Sequence, residues 1–313
     1  MTPLRSLRSR RDTRLIAGRV VVITGGARGL GLATAKALAL RGAHVAIGDL
    51  DGDLASSEAA ELPGIGRSLG GSLDVTNATD FSNFLDKVEA ELGPLDVLIN
   101  NAGIMVVSPF IDEDPAMTRR EMEINVFAVI TGTQLALRRM LPRQSGHIVN
   151  IASAAGKAGV AGEATYCATK HAVVGLDESL RAEYRGSGVT ISTVMPGLAN
   201  TELAAGMKAG RGVPLVEPQE VADAIVSALE TGRVDVFVPA KLGALMRLQA
   251  LMPRSMSEAM SRAFQVDKIG TDVDRVARAA YAQRSARPVA MTGSDLRPVS
   301  VDTPGDPDPD SGA

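Results

Sequence analysis

Tyr166 and Lys170 stand four residues apart in a segment patterned as a helix, so their side chains share one face of it. An ammonium that close favours the tyrosinate and lowers a phenol pKa that starts at about 10. The pair is a general acid/base usable near neutral pH. A bare Tyr-x-x-x-Lys occurs often by chance, but here Ser153 precedes the tyrosine by thirteen residues at the end of a strand-like run. A hydroxyl in that place can hydrogen-bond an oxygen on which charge develops.

Those groups need a scaffold that holds them at one edge. Short β-branched runs alternate with longer helical patterns, which implies stacked βαβ units and a parallel sheet. Strands are predicted at Val20–Thr24, His44–Asp49, Arg67–Leu73, Val97–Asn100, His147–Ile151, Thr190–Met195 and Val234–Val238. Helices are predicted at Leu30–Leu40, Asp80–Leu92, Met117–Met140, Glu163–Tyr184 and Pro218–Glu230. The strands are mostly unalternating, as expected when both sheet faces are covered. Right-handed crossovers then give an α/β fold, a doubly wound parallel β-sheet of Rossmann type with helices on both faces. Residues 17–240 suffice for this domain. Residues 241–285 read as a C-terminal helical extension, broken at Pro253, with Leu245, Met246, Leu248, Leu251 and Met252 as an apolar stripe. A basic arm at 1–16 and a Pro-, Asp-, Gly- and Ser-rich tail at 286–313 are expected to be disordered.

The run VVVITGGARGLGL, Val20 to Leu32, is a buried strand followed by Gly25, Gly29 and Gly31 at the opening of a helix. This succession lets backbone approach a pyrophosphate at the positive helix end. The next strand ends in Asp49, eighteen residues beyond Gly31, close to the spacing at which a carboxylate accepts the adenosine ribose hydroxyls of a dinucleotide. Asp74-Val75, Asn100 to Gly103, Ser153, and Pro196-Gly197 with Thr201 all sit where a strand has just ended. In an open parallel sheet the carboxyl ends of the strands line one crevice, so these features can face one ligand.

Together these residues resemble the short-chain dehydrogenase/reductases, in their single-domain branch. TGGARGLG at Thr24 to Gly31 is similar to the family's TGxxxGxG cofactor turn, and Asn100 to Gly103 to its NNAG segment. YCATK at Tyr166 to Lys170 resembles YxASK with Thr169 in place of the serine, and Pro196-Gly197 with Thr201 resembles the loop framing the nicotinamide. The resemblance spans Ala17 to about Val238 and implies an oxidoreductase that moves a hydride between a nicotinamide cofactor and a secondary alcohol or its ketone. It implies that Tyr166 exchanges the proton, Lys170 lowers its pKa and holds the nicotinamide ribose, Ser153 binds the substrate oxygen, and Asn125 distorts its helix and holds a water behind Lys170. The cofactor contacts it implies are Thr24, Gly25, Arg28, Gly29, Leu30, Gly31, Asp49, Asp74, Val75, Asn101, Ala102, Gly103, Tyr166, Lys170, Pro196, Gly197 and Thr201. It also implies a homodimer or homotetramer paired through the Met117–Met140 and Glu163–Tyr184 helices.

Two residues disagree about the cofactor. Arg28 suits the 2′-phosphate of NADP, whereas Asp49 repels it; an acid directly at the ribose outweighs an Arg on a flexible stem, which selects NAD(H). The remaining sequence narrows the alternatives. With 33 Lys+Arg against 36 Asp+Glu there is no positive field for nucleic acid. The single cysteine, Cys167, fits a reducing, cytoplasmic setting, and none of the three histidines has a spacing partner for a metal, so no metal is expected. No apolar run is long enough to span a membrane, although 241–264 offers a surface for peripheral membrane contact. Its Met and Leu, with those of Leu198–Pro214, favour a small hydrophobic substrate. The competing readings are an NADPH-dependent ketoreductase of acyl-type substrates and a non-catalytic dinucleotide-binding or membrane-peripheral scaffold.

Overall fold

The computed structural model describes residues 15–208, 215–263 and 269–286. Most of the basic arm and all but the first residue of the predicted tail lie outside them, as do residues 209–214 of the apolar Leu198–Pro214 segment and residues 264–268. Ile16, placed by the sequence in the arm, is buried in the core.

Seven parallel strands form one sheet in the order β3-β2-β1-β4-β5-β6-β7. They are β1 (Val20–Thr24), β2 (His44–Asp49), β3 (Ser68–Ser72), β4 (Leu95–Asn100), β5 (Gly146–Ile151), β6 (Val189–Pro196) and β7 (Asp235–Val238). The helices are α1 (Gly29–Ala39), α2 (Gly52–Ala60), α3 (Ala78–Leu92), α4 (Pro115–Met122), α5 (Ala128–Met140), α6 (Ala164–Glu183), α7 (Pro218–Thr231), α8 (Ala240–Ala250), α9 (Arg254–Ala263) and α10 (Arg275–Ser285). Val21, Ile23, Val45, Ile47, Val97 and Ile99 point to one face and pack on α1, α2 and α7. Val20, Val22, Ala46, Leu95, Leu98 and Ile148 point to the other and meet α3 and α5. Period-two alternation therefore feeds two separate cores, and burial on both sides explains the unalternating strand sequences.

Two differences from the sequence expectation have local causes. Helix α2 was not predicted, because its only buried residues are Ala55 and Ala59, and two methyl groups make no visible apolar stripe. The single helix expected over Met117–Met140 is α4 and α5 joined by a π turn, Glu123–Phe127, centred on Asn125. That side chain has partners outside the helix: its Oδ1 accepts from the Ile104 N–H (2.9 Å), and its Nδ2 donates to the Ile104 carbonyl (2.8 Å). Local π geometry of this kind gathers at functional sites.

A buried polar ladder ties the strands under α6. Asn100 Nδ2 donates to Asn150 Oδ1 (2.8 Å), Asn150 Nδ2 to Asp177 Oδ1 (2.6 Å), and Thr193 Oγ1 to Asp177 Oδ2 (2.6 Å). Arg181 closes it by donating to Thr193 Oγ1 (2.9 Å) and Asp235 Oδ1 (3.3 Å). Asp177 is fully buried and accepts for two strands, so Asp177→Ala leaves two donors without an acceptor. Urea unfolding of that variant should show a loss of about 3 kcal/mol, and a loss below about 1 kcal/mol would mean the ladder is dispensable.

Candidate active site

The chain order reverses between β1 and β4, and a crevice opens at the carboxyl ends of those strands. One side-chain amide joins the two ends: Asn101 Nδ2 donates to the Thr24 and Gly25 carbonyls (2.9 Å each). Thr24 Oγ1 in turn accepts from the Asn101 and Ala102 N–H groups (3.0 and 3.1 Å). Gly25 has φ +61, and a Cβ there would lie 2.9 Å from Ala102 Cα. A Cβ on Gly31 would collide with the Gly25 carbonyl, so both positions need glycine for the turn to close.

The crevice is a cleft of about 1050 Å³. At its β1–β2 end it is lined by Gly25, Arg28, Gly29, Leu30 and Asp49, and beside them by Asp74 and Val75. Asn101, Ala102 and Gly103 line the middle, with Ser153, Tyr166 and Lys170 from the β5 side and Pro196, Gly197 and Thr201 from the loop after β6. Thr24, Gly31 and Asn125 are outside the lining and act from behind it: Thr24 and Asn125 through the hydrogen bonds above, Gly31 through packing. Thr201 reaches across to the glycine turn, where its Cγ2 lies 3.5 Å from the Cβ position of Gly29.

Asp49 ends β2 with its carboxylate on the turn: Oδ2 accepts from the Ala27 N–H (3.2 Å) and Oδ1 from the Asp51 N–H (3.2 Å). Arg28 is engaged by a different acid, with Nη2 2.7 Å from Asp51 Oδ2. Both partners of that pair are over two-fifths exposed, so it orients the arginine more than it stabilises the fold.

Tyr166 and Lys170 share a face of α6, with Lys170 Nζ 5.6 Å from the Tyr166 ring centroid. Nζ donates to the Ile151 carbonyl (2.9 Å), and burial lowers its pKa to about 8 against the pull of Glu121. The expectation that Lys170 depresses the Tyr166 pKa is corrected here. Burial pushes the phenol up, Glu163 adds to this, and the opposing influence is a hydrogen bond from Ser153. Desolvation disfavours the phenolate, and it is the largest influence on this hydroxyl. Ser153 itself caps the turn after β5, its Oγ accepting from the Ala155 N–H at 3.1 Å.

Four residues of the site carried no motif. Glu121 is fully buried on α4 with Oε1 accepting from the Val106 N–H (3.0 Å), and Glu163 is buried at the start of α6 on the cleft wall. Arg278 is buried on α10, beside Tyr281, which lines the cleft. Their one sequence signal is charge or phenol inside helical patterns, which most surface helices also show. Cys167 packs with Met105, Ala155 and Tyr166, and burial raises its thiol pKa. The histidines make local contacts: His44 Nδ1 accepts from the Arg67 N–H, His147 Nε2 meets Ser192 Oγ, and His171 Nδ1 meets the Cys167 carbonyl.

The short chain dehydrogenase family model matches residues 19–212, which spans the strands and loops that build this cleft up to the segment after β6. The chain belongs to the short-chain dehydrogenase family. Like other members, it is an oxidoreductase acting on CH–OH groups, and members bind nicotinamide dinucleotides. It is 40% identical over 223 residues to cis-4-hydroxycyclohexanecarboxylate dehydrogenase of Sinomonas cyclohexanicum, covering 67% of this chain and 88% of that one. It is 41% identical over 183 residues to 2-(S)-hydroxypropyl-CoM dehydrogenase 3 of Xanthobacter autotrophicus, covering 58% of this chain and 72% of that one. A short-chain type dehydrogenase/reductase from Mycobacterium marinum superposes with a TM-score of 0.64 at 26% identity, over 71% of this chain and 94% of that structure. Among the described residues no helix is long and apolar enough to cross a membrane.

Burial at this dehydrogenase's site has a consequence for stability. It raises both Glu121 and Glu163 from 4.5 to about 7. Between those values these two carboxyls hold protons in the folded chain that they have released in the unfolded one, so the stability they contribute is full below about 4.5 and is lost as pH rises towards 7. Glu121→Gln keeps an acceptor for Val106 and removes one of the two titrations. Its unfolding midpoint in urea should fall less steeply over that range than the wild type's; an unchanged slope would show that Glu121 ionises freely in the folded protein.

Proposed function

We propose that this dehydrogenase uses NAD(H) to interconvert a secondary alcohol and its ketone, with Tyr166 as the general acid/base. The observation that carries the reading is convergence: Ser153, Tyr166 and Lys170 face the same cleft whose far end carries Asp49. The dinucleotide supplies the hydride acceptor or donor, and in its oxidised form a positive charge near the phenol. The chain does the rest. Tyr166 Oη takes the hydroxyl proton during oxidation and returns it during reduction. Ser153 donates to the substrate oxygen as charge builds, and its hydrogen bond to Tyr166 aligns the two hydroxyls. Lys170, anchored on the Ile151 carbonyl, holds the nicotinamide ribose. Asn125 fixes the segment after Gly103 and holds a water behind Lys170.

Two lines support the substrate class. Met105, Val160, Leu203, Leu242, Leu245 and Met246 line the cleft, which suits a lipophilic alcohol. The relatives from Sinomonas and Xanthobacter are named for substrates that carry a secondary hydroxyl, and we extend that group to this chain. For the cofactor, Asp49 and Asp51 put two acids at the end where a 2′-phosphate would lie, and Arg28 is already paired with Asp51.

The test is a panel of secondary alcohols and ketones, cyclohexanol to 2-decanol among them, followed by NADH absorbance. Tyr166→Phe should lower kcat by about 10³-fold or more while NADH binding stays within about twofold, because ring and helix persist and the proton carrier is gone. Activity retained within a few-fold would remove Tyr166 from the reaction. The cofactor assignment has its own check: Asp49→Ala should weaken NADH binding and strengthen NADPH binding, whereas Arg28→Ala should move the ratio much less. A wild type that uses NADPH more efficiently would overturn the NAD assignment.

A further inference from the structure

Three consecutive residues on the cleft side of Gly103 have their backbone held by side chains from three different helical elements. Asn125 of the π turn holds both polar groups of Ile104, and Glu121 of α4 accepts from the Val106 N–H. Between them, both polar groups of Met105 are held by α10: Tyr281 Oη accepts from its N–H (2.9 Å) and Arg278 Nη2 donates to its carbonyl (2.7 Å). Arg278 also reaches the loop after β6, where Nη1 donates to the Leu203 and Ala205 carbonyls (3.0 and 3.2 Å). Its guanidinium lies 4.9 Å from the centroid of the Tyr281 ring. The Asp274 N–H donates to the Gly206 carbonyl (2.8 Å), and Arg284 Nη2 pairs with Glu202 at 2.7 Å.

One helix near the end of the chain thus binds the two loops that flank the reacting end of the cleft. Arg278 does this at a cost. It is 7% exposed and its hydrogen bonds go to carbonyls, with Glu163 and Glu121 acting on its charge at longer range. A buried guanidinium hydrogen-bonded only to carbonyls is a poor way to stabilise a fold, since an apolar side chain of similar size avoids the desolvation penalty. It is a good way to hold two backbones in fixed relation, because its donors form a rigid planar fork.

We propose that Arg278 and Tyr281 are positioning residues for the reaction. They set the separation of the Ile104–Val106 segment and the 202–206 loop around the substrate. Through Ile104 and Asn125, whose Nδ2 donates to Thr169 Oγ1 at 3.2 Å, they also steady the turn of α6 that carries Tyr166. This rests on the reading that the substrate reacts at Tyr166. If α10 only covered apolar surface, its loss would cost stability and nothing else.

The first measurement is kinetic, on the full chain with 2-octanol and NAD+. Arg278→Met and Tyr281→Phe should each raise KM for the alcohol by about tenfold, lower kcat by less than about threefold, and leave the NADH dissociation constant within about twofold. Tyr281→Phe keeps the ring under the guanidinium and removes the acceptor for Met105, so it reports even where Arg278→Met folds poorly. A lowered melting temperature with KM unchanged in both variants overturns the proposal. The second measurement needs no turnover. The chain has three tyrosines, Tyr166, Tyr184 and Tyr281, so 3-fluorotyrosine labelling gives three assignable fluorine resonances. Arg278→Met should move the Tyr166 resonance and leave that of Tyr184 in place; a stationary Tyr166 resonance overturns the coupling. If the wild type oxidises none of the alcohols, the proposed function fails while the resonances still decide this inference.

Discussion

The site depends on how closely two strand ends can approach. Asn101 holds the Thr24 and Gly25 carbonyls with one amide group, and that contact brings the glycine turn of β1 against the segment after β4. A methyl group at Gly25 or Gly31 would hold them apart. Everything downstream inherits this spacing. The opening of α1 faces the crevice because the turn is tight, Asp49 can hydrogen-bond back to Ala27, and Ile104–Val106 emerges where Asn125, Tyr281 and Glu121 can reach it. In each of these contacts one partner is a backbone group, so its direction is set by the fold and costs little reorganisation when a ligand arrives.

Around this frame the protein buries ionisable groups that a stability criterion alone would exclude. Lys170 sits 6% exposed on a carbonyl, Glu121 and Glu163 are pushed towards neutrality, and Arg278 is held by three carbonyls. Each is disfavoured by desolvation, yet Lys170, Glu121 and Glu163 together place groups with values near neutrality around the phenol proposed as the acid/base. Burial leaves the phenol itself reluctant to ionise, and the Ser153 hydrogen bond is the influence that opposes this.

The helices beyond β7 change how the family scaffold is read. Separated from the motif-bearing core in sequence, they form part of the cleft: Leu242, Leu245 and Met246 of α8 and Tyr281 of α10 all face it. Leu248 and Leu251, from the same predicted stripe, are exposed and lie outside the cleft lining. A helix that presents one apolar side to a cleft and another to solvent is shaped by the ligand site as much as by the core. The family match thus covers residues 19–212, and the chain beyond it supplies part of the cleft wall.

How much of this was legible beforehand follows from the range of each interaction. The strands, the glycine turn, Asp49 and the Tyr166–Lys170 pair are local patterns: periodicity two or four, or a glycine where only glycine closes a turn, and the sequence alone determined them. The doubly wound sheet followed, because buried parallel strands joined by helices leave few topologies. Helix α2 escaped because its contacts are two alanine methyls; the helix distortion at Asn125 was implied by the family resemblance, but its hydrogen bonds to Ile104, twenty-one residues away, follow no local pattern. Only the tertiary structure decided which charges are buried. Glu121, Glu163 and Arg278 look like solvated helix positions until the chain folds over them, since desolvation depends on every neighbour and no spacing rule encodes it. The bond from Tyr281 to Met105 spans 176 positions, and contacts at that separation leave no periodic trace in a single sequence.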